Sequence, residues 1–307
     1  MITGFFYDSM LKEGRLEKHI IKILRLLVIS NIVYVVFYAI MIYSGVDIGR
    51  DSLIRMNLFS LKDWFQVVFL NAQIIASHLW YLPAVLYDLI VFAVISRVML
   101  KSERWENLLI ILAIILAFLY PMLSTYSMVL FKRKISQVYV QNFVMPGFPC
   151  ILAGWEMRKN YKTFANITGR LLGCLYGLLW ILQILEVKIL DSRFNVSIPG
   201  GVNAYLMTFL VSIGTFIVAI KYSMTQGKKN KILDALVNIG KKHSTNIYIY
   251  HAMIYTILFK FFNMVGFRHL DDFILKGWEI PALTFAIGIV LSATVLIIKN
   301  KLGKVKE

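Results

Sequence analysis

Charge is scarce in this sequence. Only 16% of its 307 residues are charged, 59% are hydrophobic, and the mean hydropathy is +0.69. Soluble domains carry about 25% charged and about 45–50% apolar residues. The shortage of charge excludes a disordered chain and an ordinary cytosolic enzyme, and selects a polytopic membrane protein. Cysteine is scarcer still. Cys150 and Cys174 both lie in apolar runs, with no zinc spacing and no disulfide framework, and read as small apolar packers. A secretory signal is missing, because the N-terminus is apolar first and charged afterwards. Also missing are a Gly-rich phosphate loop, a His-Glu-x-x-His metal motif and a nucleophile elbow, so neither a metal nor a bound cofactor is expected. There is no repeat of fixed period, no low-complexity tract and no long linker, which leaves one membrane domain over residues 1–307.

What is present is a series of apolar runs of about 20 residues, the length that crosses a hydrocarbon core. Eight are read: Ile23–Tyr43, Ser77–Ser96, Asn107–Leu123, Gln141–Met157, Leu171–Val187, Asn203–Ile220, Thr245–Val265 and Ile280–Ile298. The fold class is therefore all-α, a polytopic bundle of about 8 transmembrane helices. Strands are not expected, since the runs are long and do not alternate. Gln141–Met157 is short and holds Pro146, Gly147 and Pro149, so it reads as a kinked helix packed inside the bundle. Leu61–Ala76 reads as an interfacial or re-entrant helix. Lys221–Ser244 reads as a loop with a short amphipathic helix at Lys231–Ile239.

The chain carries 33 Lys+Arg against 17 Asp+Glu, a net charge of +16. Threading the eight spans puts 22 of those 33 basic residues on the side that holds both termini, and 11 on the other. The smaller set includes Arg50, Arg55, Lys134, Arg268 and Lys276. The bias places both termini in the cytoplasm of a multi-pass plasma-membrane protein. It also accounts for the basic balance without nucleic acid; the expected partner of the surface is the lipid bilayer.

Ionisable groups inside spans are costly and so raise questions of function. Asp88 sits mid-span, and Tyr81, seven residues earlier, faces the same way. A polar interior role, catalytic or structural, fits both. His78, Trp80 and Tyr81 open the same helix, where the two aromatic residues also suit an interface belt. His78 has the chemistry of an acid, a base or a positioning donor. Ser244, Tyr248, His251 and Tyr255 recur at spacings of four, three and four, a polar stripe suited to a bundle interior. Lys22 and Arg25 share the first turns of the first span and could snorkel to headgroups or bind phosphates.

Several of these segments together resemble the acyltransferase-3 family of integral membrane proteins. His78-Leu79-Trp80-Tyr81-Leu82 resembles its His-x-Trp-Phe/Tyr-Leu signature. Gln141-Asn142-Phe143 with Gly147-Phe148-Pro149 and Gly154 is similar to its Arg-Asn…Gly-Phe-Pro-Phe…Gly segment. The run from Ser244 to His251 is similar to a late Ser-x-x-Ile-Tyr-Leu-x-His helix, and Lys22–Leu26 to the basic entry of its third helix. The nearest subgroup is the one that includes the membrane half of vancomycin-resistance serine racemases. The resemblance implies transfer of an acyl group, typically acetyl, from acyl-CoA to a hydroxyl of a cell-surface sugar or lipid-linked glycan. It implies catalytic candidates His78, Asp88 and His251, substrate contacts at Trp80, Tyr81, Asn142, Tyr248 and Tyr255, and acyl-CoA contacts at Lys22 and Arg25. It also implies that the chain lacks the family's first two helices and, with them, the catalytic histidine. Gln141 departs from the usual Arg and Val28 from a frequent Pro. The alternative reading is a small-solute transporter or binding module for a serine-like compound, with a midplane pocket at Asp88 and His251. The oligomeric state is not legible.

Overall fold

The computed structural model describes residues 1–45, 60–73, 75–98, 102–133, 135–194, 204–224, 231–264 and 279–304. All regular structure among them is helical. Arg50, Arg55, Lys101, Lys134, Lys228, Lys229, Arg268, Lys276 and Lys306, which enter the charge bias, lie outside the described residues, as do the expected span ends Asn203 and Val265. The chain forms two compact units, residues 1–226 and 227–307.

In the first unit, α1 (Ile2–Phe5) and α2 (Tyr7–Lys12) lead into α3 (Leu16–Tyr43). A short α4 (Leu61–Leu70) precedes a 3-10 turn (Ser77–Trp80) and α5 (Tyr81–Val98). Next comes α6 (Glu103–Pro121), which continues through a π turn (Met122–Tyr126) into α7 (Ser127–Phe131). After α8 (Gln137–Val140), a second π turn (Phe143–Gly147) opens α9 (Phe148–Lys159). The unit closes with α10 (Tyr161–Asn166), α11 (Gly169–Phe194) and α12 (Leu206–Met224). The second unit holds α13 (Lys231–Met264) and α14 (Glu279–Lys304).

Among the described residues, five stretches are long and apolar enough to cross a membrane: Leu16–Tyr43, Ser77–Arg97, Glu103–Phe131, Gly169–Ser192 and Leu206–Ser223. Pro281–Ile297 is a shorter apolar helix. The pattern on α3 shows why water is the wrong solvent for this surface. Ile29, Ile32, Val36 and Ile40, at helical spacing, are each more than half exposed, while Ser30 is buried. A soluble helix would have the reverse arrangement. With apolar side chains outward, the helix is solvated by lipid, and its polar groups turn inward.

α9 is the innermost helix of the first unit. Phe148, Ile151, Leu152 and Trp155 are buried in one cluster with Tyr7, Leu89, Phe92 and Leu109. Its position depends on bare backbone at the crossing with α1. A Cβ built on Gly4 would stand 1.9 Å from the carbonyl oxygen of Ile151, and one on Gly154 would meet the Met1 carbonyl at 1.9 Å. Small residues permit such approaches between membrane helices. Gly4→Ala must push backbone against backbone. It is expected to cost about 1–3 kcal/mol, the range of an overpacked core, read as a lower unfolding midpoint in detergent.

Two sequence expectations need correction. Gln141–Met157 is not one span. The helix breaks at Gln141 and Asn142 and passes through the π turn, and α9 has 12 residues, about 18 Å at 1.5 Å each. Its expected place inside the bundle is correct. Lys221–Ser244 is also not a loop through most of its length. α12 runs to Met224, and the amphipathic segment at Lys231 is the start of a 34-residue helix. That stretch contains no proline, and a lone Gly240 weakens a helix by only about 1 kcal/mol. The helix expected over Leu61–Ala76 forms before the second span but ends at Leu70, where Asn71 turns left-handed. Ser60 and Asp63 give it a reciprocal capping box, and none of its residues is buried.

Candidate functional site

Tyr81, Ala84 and Asp88 lie along one face of α5 and line a cavity of about 80 Å³ against Pro146, Gly147 and Cys150. Met1, Thr3 and Trp80 complete much of the wall. The seven-residue spacing therefore brings Tyr81 and Asp88 to one space, as expected. Asp88 is only 5% exposed, and among the described residues its Oδ1 has no hydrogen-bond partner. The missing side chain of Gly147 makes room for the carboxyl group: a Cβ there would stand 2.4 Å from Asp88 Oδ2. A polar group this deep is costly to leave unbonded, so Asp88 is suited to receive a proton or hydrogen bond from something that enters the cavity.

The wall around the cavity is fixed by two asparagines. Asn71 is 1% exposed and sits in a left-handed conformation at φ 46°. Its Oδ1 accepts from the Phe143 N–H at 2.7 Å, and its Nδ2 donates to the Trp80 carbonyl at 3.4 Å. The side chain thus ties the 3-10 turn before α5 onto the π turn. Asn142 caps that turn. Its Oδ1 accepts from the Val144 and Met145 N–H groups at 3.0 and 3.1 Å, and its Nδ2 donates to the Tyr139 carbonyl at 2.9 Å. The geometry gives Asn142 a capping role. Tyr87 stacks on Phe143 with ring centroids 5.3 Å apart, and its hydroxyl donates to the Val67 carbonyl at 3.4 Å.

The other sequence candidates lie apart from this cavity's lining. His78 packs its ring on Tyr34 of α3, with centroids 4.6 Å apart. Lys22 and Arg25 are exposed on α3. At the end of α9, Lys159 forms an ion pair with Glu106, and that hydrogen bond is the main reason its ammonium holds its proton more tightly than an ordinary lysine. Trp155 Nε1–H donates to Asp8 Oδ1 at 3.0 Å beside it.

In the second unit, His251 Nδ1 lies 2.6 Å from the Tyr248 carbonyl oxygen, and its ring leans on the Tyr248 ring. Tyr255 is 42% exposed. The seam between α13 and α14 uses a different face. Ser292, fully buried, lies 2.9 Å from His243 Nδ1 and accepts from Asn246 Nδ2 at 2.9 Å, and Gly288 packs on Ile247. Among the described residues of this unit, the seam thus includes His243, Asn246 and Ile247.

Two functional-looking polar residues escaped the sequence reading. Asn71 falls in a segment with no motif. Glu186 is a lone carboxylate in an apolar run, which was a visible signal. It accepts from the Leu206 and Met207 N–H groups at 2.7 and 3.0 Å and from the Tyr126 hydroxyl at 2.7 Å, so it caps α12. Among the described residues, no group of three or more His, Cys, Asp or Glu side chains gathers as for a metal.

The profile of the family described as an acyltransferase domain matches residues 1–299. The chain belongs to the acyltransferase-3 family. No curated protein and no solved structure matches it. As an acyltransferase-3 member it is a membrane acyltransferase in general kind, and the Asp88 cavity is the part of its first unit with chemistry to offer.

Proposed function

We propose that this acyltransferase moves an acyl group, acetyl in the first instance, from acyl-CoA to a hydroxyl of a cell-surface carbohydrate or lipid-linked glycan, and that the transfer takes place at the Asp88 cavity. The observation that carries the reading is Asp88 itself, a buried carboxyl group on the lining of a small cavity, one of whose oxygens has no hydrogen-bond partner among the described residues. Attack of a hydroxyl on a thioester requires a base for the hydroxyl proton. Asp88 is suited to that role, with Tyr81 and Trp80 beside the acceptor. Lys22 and Arg25 lie on α3, exposed, and are suited to the phosphates of the donor, since phosphate contacts need charge rather than burial. The plasma membrane supplies both sides of the reaction, a cytoplasmic donor and an outward acceptor.

The test supplies labelled acetyl-CoA to membranes from cells that express the chain. Label in an envelope glycan, lost on mild base as an ester, is the expected result. Absence of label from every glycan and lipid fraction, with the protein folded and present, would end this reading. A parallel serine-uptake measurement separates the transporter alternative, which requires uptake to rise with expression and no acyl donor.

A further inference from the structure

We propose that Cys150 carries the acyl group as a thioester between donor and acceptor. This inference rests on the acyltransferase reading and adds a covalent step to it. Cys150 lies three residues after Gly147, close to one turn of α9, and both line the cavity that Asp88 faces. It is partly exposed and not in a disulfide. Asp88, only 5% exposed, lines the same space, and its Oδ1 has no hydrogen-bond partner among the described residues. The side chains of the wall that bear a hydroxyl or a thiol are Thr3, Tyr81 and Cys150. A thiol ordinarily gives up its proton more readily than a phenol or an aliphatic hydroxyl, and an adjacent base is the usual means of activating a nucleophile.

The cavity, of about 80 Å³, has room for a two-carbon acyl group on Cys150.

In the first step Asp88 takes the Cys150 thiol proton as sulfur attacks the thioester carbonyl of acyl-CoA. The carbon–sulfur bond to CoA breaks, and the departing CoA thiolate takes the proton from Asp88. One thioester has replaced another, and Asp88 is again a carboxylate. In the second step an acceptor hydroxyl gives its proton to Asp88 as its oxygen attacks the Cys150 thioester. The carbon–sulfur bond breaks, Asp88 returns the proton to the Cys150 sulfur, and an ester leaves. No oxidant or reductant is involved.

The experiment incubates the full-length chain in native membranes with labelled acetyl-CoA and no added acceptor, followed by rapid non-reducing separation. The expected result is label on the chain, released by neutral hydroxylamine, kept in Cys174→Ser and absent from Cys150→Ala. Added envelope glycan should chase the label off the wild-type chain. Cys150→Ser conserves size, which covers the case of a poorly folded alanine variant, and should convert the adduct to a hydroxylamine-resistant ester. Glycan acetylation by Cys150→Ala or Cys150→Ser within about threefold of wild type, or adduct that persists in Cys150→Ala, overturns the carrier and leaves the acyltransferase reading standing. Absence of transfer to any acceptor and of label on the wild-type chain removes both.

Discussion

Asp88→Asn is expected to lower acyl transfer by at least about 100-fold, the lower end of what a positioned proton acceptor contributes, without unfolding the bundle. Asparagine keeps the shape of the carboxyl group, so it fits the space that Gly147 leaves beside Oδ2. It also keeps a hydrogen-bonding group in a site where Asp88 is only 5% exposed, so the folded state should lose no stability. Stability and activity should therefore move apart: an unfolding midpoint equal to or above wild type, and turnover near background. If Asp88 were merely a packed polar residue, turnover would change by no more than a few-fold. The measurement is the initial rate of label transfer at equal folded protein, with KM and kcat separated. The loss should fall on kcat, because the base acts on the reacting hydroxyl rather than on the donor's phosphates.

Asn142→Ala is expected to produce the opposite pattern. The Oδ1 of Asn142 serves two backbone N–H groups at once, those of Val144 and Met145, in a region that lipid keeps dry. Truncation leaves both without that acceptor, at about 1–3 kcal/mol each, so a total of about 2–6 kcal/mol is expected as a fall in thermal midpoint. The π turn that Asn142 caps also leads into Gly147, the residue against the Asp88 carboxyl. Activity should fall in proportion to folded protein, together with some loss from a displaced Gly147. An Asn142→Ala protein with wild-type stability and a raised KM for the acceptor would instead assign Asn142 to substrate contact. Asn142→Asp, which retains the accepting oxygens, should recover most of the midpoint.

The membrane class, the helical fold and the Asp88–Tyr81 pairing were legible because they depend on local quantities. Length and hydropathy mark the spans, and a spacing of seven returns a residue to the same helix face. The break in Gln141–Met157 was legible in part, from Pro146, Gly147 and Pro149. Its consequence was not, because a 12-residue helix at the centre of the unit depends on what crosses it. Gly4 and Gly154 are visible as glycines, but nothing in the sequence says that Gly4 meets the Ile151 carbonyl oxygen. The same holds for Asn71 and Phe143, 72 positions apart and joined by one hydrogen bond. Glu186 could have been noticed as an isolated carboxylate in an apolar run, but its partners on α12 are set only by packing. The polar stripe from Ser244 to Tyr255 followed from helical spacing, whereas the part that His243, Asn246 and Ile247 take in the α13–α14 seam carried no such signal. Periodicity identifies a face and cannot identify its neighbour.

The central claim is that Asp88 faces a space that the substrates enter. The direct measurement is modification of the full-length chain in membranes by an apolar carbodiimide, followed by mass spectrometry of the peptide that contains Asp88, with and without a non-transferable ketone analogue of acetyl-CoA. The account predicts an adduct on Asp88 that the analogue suppresses, in proportion to its occupancy, while adducts on exposed carboxylates such as Glu13 are unaffected. An Asp88 that never reacts, or one that reacts equally with and without the analogue, would contradict it.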